Sequence, residues 1–98
     1  MIPGYGPSKA REDVVASAAS ITVKSDLTRL TGTTQVDNIF CPTLVGRDSV
    51  LIFIYTPDAG VTISAAGNVA VSQNLATNRL YAYMFSFIAN KWIPHAIN

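Results

Sequence analysis

Two runs in the second half of the chain are apolar on both sides when read as strands, and they limit the folds open to the chain. The first is Val50–Tyr55, which reads VLIFIY, and the second is Leu80–Ile88. Their β-branched and aromatic content is typical of buried strands. Alternate residues of a strand face opposite sides, and a two-layered domain covers only one face of each sheet. The second face of both runs therefore needs another cover.

These two runs supply the residues that we expect in the core or in an oligomer interface. The pattern does not show which of the two faces meets a partner. One alternative is that both runs lie at the centre of a three-layered or closed arrangement, but 98 residues leave little material for a third layer. We therefore expect other copies of the chain to cover the second face. The candidate residues are Leu51, Phe53, Tyr55, Tyr81, Tyr83, Phe85 and Phe87.

The composition also indicates a covered surface. Hydrophobic residues make up 49% of the chain and charged residues only 13%, whereas a typical domain carries about 25% charged residues. If other copies cover roughly 600 Å² of apolar surface per chain, the gross gain is about 15 kcal/mol, so folding and assembly are expected to be coupled. The longest apolar runs are shorter than the ~18 residues of a membrane-spanning helix. We expect no membrane contact and no signal peptide.

The rest of the chain predicts short strands separated by turns, and hence a small antiparallel β-sandwich or jelly-roll-like barrel. Proline and glycine in Thr56–Gly60 predict a turn, and residues 65–75 read as a loop that carries Gly67 and Asn68. The expected strands are Ile21–Val23, Leu27–Thr31, Thr34–Phe40, Ser49–Tyr55, Val61–Ser64, Arg79–Ile88 and Lys91–Ala96.

The N-terminal segment is interpreted as an arm. Met1–Pro7 contains two prolines and two glycines around Tyr5, which disfavours a helix or a central strand. Ser8–Ser20 is ambiguous between a short helix and an extended segment, and we favour the extended form, with one helical turn over Ala10–Asp13. The predicted organisation is an arm over residues 1–13 and a single β domain over residues 14–98.

The residues needed for catalysis or metal binding do not come together in the sequence. His95 is the one histidine and Cys41 the one cysteine, too few for a tetrahedral metal site from one chain, and Cys41 reads as a buried apolar residue. No Gly-x-Ser-x-Gly motif is present, and the carboxylates mostly lie in predicted turns. The basic residues are dispersed, unlike a nucleic-acid-binding surface. We expect a protein that is not an enzyme, without cofactor, metal, small-molecule substrate or nucleic-acid partner.

Several short segments together resemble a β-module of bacteriophage virion proteins: Thr31–Thr34 followed by Val36 and Ile39, VLIFIY at Val50–Tyr55, Thr62–Ala70, Arg79-Leu80 and Lys91–Pro94. The resemblance covers about residues 20–95. One departure is Ile88-Ala89-Asn90, where such modules often have Asp-Gly.

The resemblance implies a virion structural protein, as found in head decoration or cement proteins and in head or tail fibres. It implies a homotrimer located on the virion and assembled in the host cytoplasm. Because the chain begins at Met1, we expect a stand-alone cement protein that clamps copies of the major capsid protein and stabilises the shell. The expected capsid contacts are Val14–Ile21 or the arm residues Ile2, Pro3, Tyr5, Pro7 and Arg11.

Two alternatives stay open. A fibre or spike module would bind a host receptor or glycan through exposed aromatic residues such as Tyr5 or Trp92. A stand-alone carbohydrate-binding module would bind its ligand as a monomer.

Overall fold

The computed structural model describes residues 12–42, 50–58 and 60–95. This part of the chain contains nine strands. These ranges contain strands and turns and no α-helix, which confirms the all-β prediction. The strands are β1 (Glu12–Ala16), β2 (Ser20–Thr22), β3 (Leu27–Thr31), β4 (Asn38–Phe40), β5 (Leu51–Tyr55), β6 (Thr62–Ile63), β7 (Gln73–Asn74), β8 (Tyr81–Ser86) and β9 (Lys91–Pro94).

The main sheet is mixed, with strand order β1-β3-β5-β8-β9. β1, β3 and β5 run parallel, whereas β8 is antiparallel to β5 and β9 antiparallel to β8. The prediction of an antiparallel fold is therefore wrong for β1, β3 and β5, and also for the β2–β4 pair. Parallel neighbours in a sheet usually need a long crossover connection. Here the connection from β1 to β3 contains β2, and the connection from β3 to β5 contains β4. These two strands lie outside the main sheet and pair in parallel with each other. The sequence did not distinguish the two arrangements, because polar breaks between short strands occur in parallel crossover connections as well as in antiparallel hairpins.

One face of the main sheet forms the core. Across β5, β8 and β9, Ile52 lies opposite Tyr83 and Phe85 lies opposite Trp92, and all four side chains are buried. The rings of Phe85 and Trp92 pack edge to face with centroids 5.2 Å apart, a favourable aromatic arrangement. The small sheets contribute to the same cluster through Ile21, Ile39 and Ile63. Apolar side chains from all three sheets thus pack into one core.

The segment 64–70 docks against β4. A Cβ on Gly67 would lie 2.2 Å from the backbone oxygen of Asp37, so only glycine permits this approach. The next residue, Asn68, accepts a hydrogen bond from Ile39 N at 2.8 Å and donates one to Ile39 O at 2.7 Å. Its side chain thus replaces the neighbouring strand that the edge of β4 lacks. The sequence predicted a loop here that carries Gly67 and Asn68. In the structure Gly67 allows the close approach to Asp37, and Asn68 forms the hydrogen bonds to Ile39.

The first strand begins two residues before the predicted boundary of the arm. Glu12 and Asp13 pair with Leu27 and Thr28 of β3, and the helical alternative is wrong over β1. Residues 1–11 lie outside the described part of the chain. β3 has the predicted bounds, and β2 is shifted by one residue. The later predicted strands are shorter in the structure, and β7 lies in the segment expected to be a loop.

Candidate functional site: an apolar outer face

The face of the main sheet opposite the core, which we call the outer face, carries a row of apolar side chains. Leu51 of β5 pairs with Met84 of β8, which pairs in turn with Ile93 of β9. These side chains are 46%, 46% and 41% exposed. The solvent side of an antiparallel sheet normally carries polar residues, whereas this row has none. Burying such a row against a partner would stabilise an association.

The outer face becomes polar towards β1 and β3. Arg29 lies opposite Val14 on one side and Tyr55 on the other. The Tyr55 hydroxyl donates a hydrogen bond to the Glu12 carboxylate, and this bond is the main reason that the pKa of Tyr55 is raised, an effect that Arg29 opposes. Tyr55 thus interacts with both Glu12 and Arg29, and Val14 is the large apolar side chain that stays exposed on this side of the outer face, at 62%.

The turn between β8 and β9 extends the apolar surface. Ile88 is fully exposed at 101% and Phe87 is 46% exposed. Phe87 is held in place by an edge-to-face contact with Phe85, with ring centroids 5.0 Å apart. Asn90 has a φ of 58°, and asparagine tolerates this left-handed conformation better than most residues. Ala89 N donates to the Ser86 hydroxyl at 3.1 Å, which closes the turn.

The row and the turn border one open groove of about 590 Å³. No acidic or strongly basic side chain is among its lining residues, and His95 is the one titratable group at its wall. Lys91, on the outer face of β9, is not part of the lining. A groove with this lining can bury apolar surface of a partner, but it does not bring together side chains suited to catalysis. Its lining consists of Leu51, Ala82, Met84, Phe85, Ser86, Phe87, Ile88, Ile93, Pro94 and His95.

The structure divides the predicted core or interface residues between two faces. Tyr81, Tyr83 and Phe85 are buried in the core. On β5, Leu51 is exposed on the outer face. The two remaining outer-face residues, Phe53 and Tyr55, are half-buried.

Phe87 belongs to neither strand face, because β8 ends at Ser86 and Phe87 begins the turn. The predicted arm contacts Ile2, Pro3, Tyr5, Pro7 and Arg11 all lie outside the described residues.

Sequence reasoning did not single out Met84, Ile88 or Ile93. Alternation places Met84 on the face opposite Tyr83, but both faces of β8 are apolar, so the pattern alone could not show which one points inward. No signal in the sequence decides between the two faces, and in the structure the hydrogen bonds of the two tyrosines distinguish them. Tyr83 donates to Gln73 Oε1 at 2.7 Å, and the Tyr81 hydroxyl accepts from Ala76 N at 2.8 Å. Burial raises the pKa of Tyr83, which keeps this hydroxyl a donor.

Trp92 is not the exposed aromatic residue that glycan binding would need. It is completely buried, and its Nε1 donates to Ile39 O at 3.0 Å. The expectation is wrong because β9 alternates with Lys91 and Ile93 outward and Trp92 inward.

Within residues 12–42, 50–58 and 60–95, no group of three or more His, Cys, Asp or Glu side chains is placed to hold a metal ion. In the same ranges no helix is long and apolar enough to cross a membrane. Comparison of the chain with family models, curated proteins and solved structures gives no match.

Proposed function

We propose that the chain is a virion structural protein that binds the capsid surface as a homotrimer and stabilises the shell. One observation carries the proposal: the uncharged apolar surface formed by Leu51, Met84 and Ile93 on the outer face. Such a surface suits a structural protein that acts by binding other protein chains. The virus particle as the location of the protein is proposed from the resemblance of the sequence to bacteriophage β-modules.

The proposed domain is a two-layered sandwich. The main sheet forms one layer, and the β2–β4 and β6–β7 pairs form the other across the shared core. A jelly roll is built from antiparallel strands, so the parallel order of β1, β3 and β5 favours the sandwich without the jelly-roll order.

A capsid partner needs a surface distinct from the one that joins the copies. β1 is the edge strand of the main sheet on the side remote from β9, and Val14 on this strand is 62% exposed. Residues 1–11 directly precede β1 in the sequence, and the proposal therefore places the major capsid protein at this edge of the sheet. The free backbone groups of an edge strand can pair with another chain. The proposal therefore assigns the β9 side of the sheet to the trimer and the β1 side to the capsid.

The first test is whether the chain is part of the particle. Virus particles purified by density gradient from the organism that carries the gene are digested and quantified by mass spectrometry. We expect the chain in a fixed ratio to the major capsid protein, with capsids lacking the chain opening at a lower temperature. Its absence from purified particles would overturn the proposal.

A second test assigns the capsid contact. Deleting residues 1–11 leaves Glu12 and Asp13 in place to pair with β3, whereas deletion through residue 13 would remove two residues of the sheet. We expect the shortened protein to keep the oligomeric mass of the full chain and to lose binding to particles that lack it. Phe40→Ser, a change of an exposed side chain on β4, is the matched control and is expected to bind normally. Undiminished binding of the shortened protein would show that the arm is not the contact.

A further inference from the structure

The main sheet ends at β1 on one side and at β9 on the other, and the two edges differ in whether their backbone groups are paired. We propose that β1 takes up an extended, basic segment of the partner protein as an added strand, and that Asp13 selects this segment. The inference rests on the proposed attachment to the capsid and names how the β1 edge makes it.

At β9 the chain covers its own edge. Trp92 N donates a hydrogen bond to Asn68 O at 2.8 Å, and Trp92 O accepts one from Ala70 N at 2.9 Å. The next residue of β9 that points the same way is Pro94, which has no N–H group to donate. An added strand at β9 would therefore have to replace hydrogen bonds that the domain already makes.

The β1 edge has no strand beside it within the described part of the chain. Ser17 N donates to Thr31 O, the last residue of β3, at 2.7 Å, and the backbone groups of successive residues in a strand point to opposite sides. Glu12, Val14 and Ala16 therefore direct their N–H and C=O groups away from β3. A row of backbone donors and acceptors of this kind recognises an extended peptide segment.

Asp13 occupies one of these backbone groups. Its Oδ1 accepts a hydrogen bond from Val14 N at 3.0 Å, and within the described ranges this carboxylate has no other hydrogen bond or ion pair. The neighbouring Glu12 carboxylate, in contrast, is bound by the Tyr55 hydroxyl. A charged side chain at the edge of a sheet discourages unspecific pairing. An added strand must therefore bring a carbonyl oxygen to Val14 N and a cation to Asp13.

The charges disfavour the β1 strand of another copy as the occupant. Pairing two β1 strands would bring Glu12 and Asp13 of both copies into one short ribbon, where like charges repel. A basic segment compensates Asp13 instead. Val14 is 62% exposed on the outer face and offers the added strand an apolar contact. Because consecutive side chains face opposite sides of a sheet, the segment needs a basic residue directly beside an apolar one in its sequence.

The experiment measures binding of the full chain to purified particles that lack it, for the wild type and variants of the β1 edge. Val14→Pro removes the outward N–H, and proline is tolerated at such a position of an edge strand. We expect binding about 10-fold weaker, which is the effect of one hydrogen bond. Val14→Thr keeps the N–H and is expected to bind more tightly than Val14→Pro. Phe40→Ser, on β4 away from this edge, is the control and should bind as the wild type does.

Two further measurements test the mode of binding. Asp13→Asn keeps an oxygen acceptor for Val14 N but loses the charge, so its binding should be weaker and should depend less on salt than that of the wild type. Hydrogen–deuterium exchange of the wild-type chain needs no variant. The amides of Val14 and Ala16 should exchange more slowly on particles than in the free chain. The fluorescence of Trp92, the single tryptophan, checks that each variant is folded.

The outcomes separate strand addition from the proposed function. Weaker binding of Val14→Pro, with slower amide exchange at Val14 and Ala16 on particles, supports strand addition. Wild-type binding by folded Val14→Pro, or unchanged exchange of these amides on particles, overturns strand addition and leaves attachment to the capsid standing. Equal salt dependence of Asp13→Asn and the wild type overturns the role of Asp13. A wild-type chain that does not bind particles overturns the proposed function and strand addition with it.

Discussion

Two threonines in the core differ in whether their hydroxyl groups are satisfied. Thr28 on β3 and Thr56 after β5 are both completely buried. The Thr56 hydroxyl donates to Asp58 O and accepts from Asp58 N, each at 3.1 Å. The Thr28 hydroxyl has no hydrogen-bond partner within the described part of the chain. The same substitution, threonine to valine, should therefore have opposite effects at the two positions.

The magnitudes follow from what each hydroxyl loses. A buried hydroxyl without a partner costs about 1–3 kcal/mol, and valine has nearly the same shape, so Thr28→Val is expected to stabilise the fold by about 1 kcal/mol. Thr56→Val removes two hydrogen bonds worth about 1 kcal/mol each and should destabilise by about 1–2 kcal/mol. The two variants should differ by roughly 2–3 kcal/mol in the free energy of unfolding.

Urea denaturation followed by Trp92 fluorescence measures this difference, because Trp92 is the one tryptophan and is buried in the core. The variants are compared at one protein concentration, so that any association contributes equally. For a domain of this size 1 kcal/mol corresponds to about 4–8 °C in Tm, which gives an independent check by thermal unfolding. If both variants lost stability equally, the hydrogen-bonding argument would be refuted and side-chain shape would be the deciding factor.

Two further predictions concern polar contacts of β4 and of Asp37, the residue that precedes it. Asn68→Ala removes both hydrogen bonds to Ile39 and leaves Ile39 N without a partner, so we expect a loss of about 2–3 kcal/mol by urea denaturation; a change below about 0.5 kcal/mol would contradict the contact. Gln35 and Ser64 donate hydrogen bonds to Asp37 and lower its pKa below the ordinary value of 3.8. A lowered folded-state pKa stabilises the fold above the ordinary pKa and loses this effect as the pH falls through the folded value. The stability difference between the wild type and Asp37→Asn should therefore shrink below about pH 4, and a difference independent of pH from 7 to 2.5 would contradict it.

The strands with strong local signals could be predicted from the sequence. β3 was predicted with the bounds that the structure shows, and the cores of β5, β8 and β9 were found from their β-branched and aromatic residues. β1 was ambiguous because Glu12 and Asp13 suit the first turn of a helix, whereas Val14 and Val15 suit a strand. Its strand form depends on pairing with β3, a tertiary contact that no local pattern contains.

The parallel order and the inward face could not be predicted for a different physical reason. Strand direction depends on where β2 and β4 lie in space, and short polar breaks permit either path. For β8 the two faces are alike in hydropathy, so side-chain hydrogen bonds decide between them. Tyr81 and Tyr83 find backbone or amide partners inside the domain, whereas Met84 needs none and can lie outward.

The completeness of the core changes the expected relation between folding and assembly. The sequence led us to expect coupled folding and assembly, because both faces of β5 and β8 are apolar. In the structure one face of these strands packs within a single copy, and Ile52, Ile54, Tyr83 and Trp92 are buried without a second chain. The outer face contributes nothing to this core. If copies of the chain associate through the outer face, as proposed, changes on this face should therefore separate them without unfolding them, and a dissociated copy should keep the buried environment of Trp92.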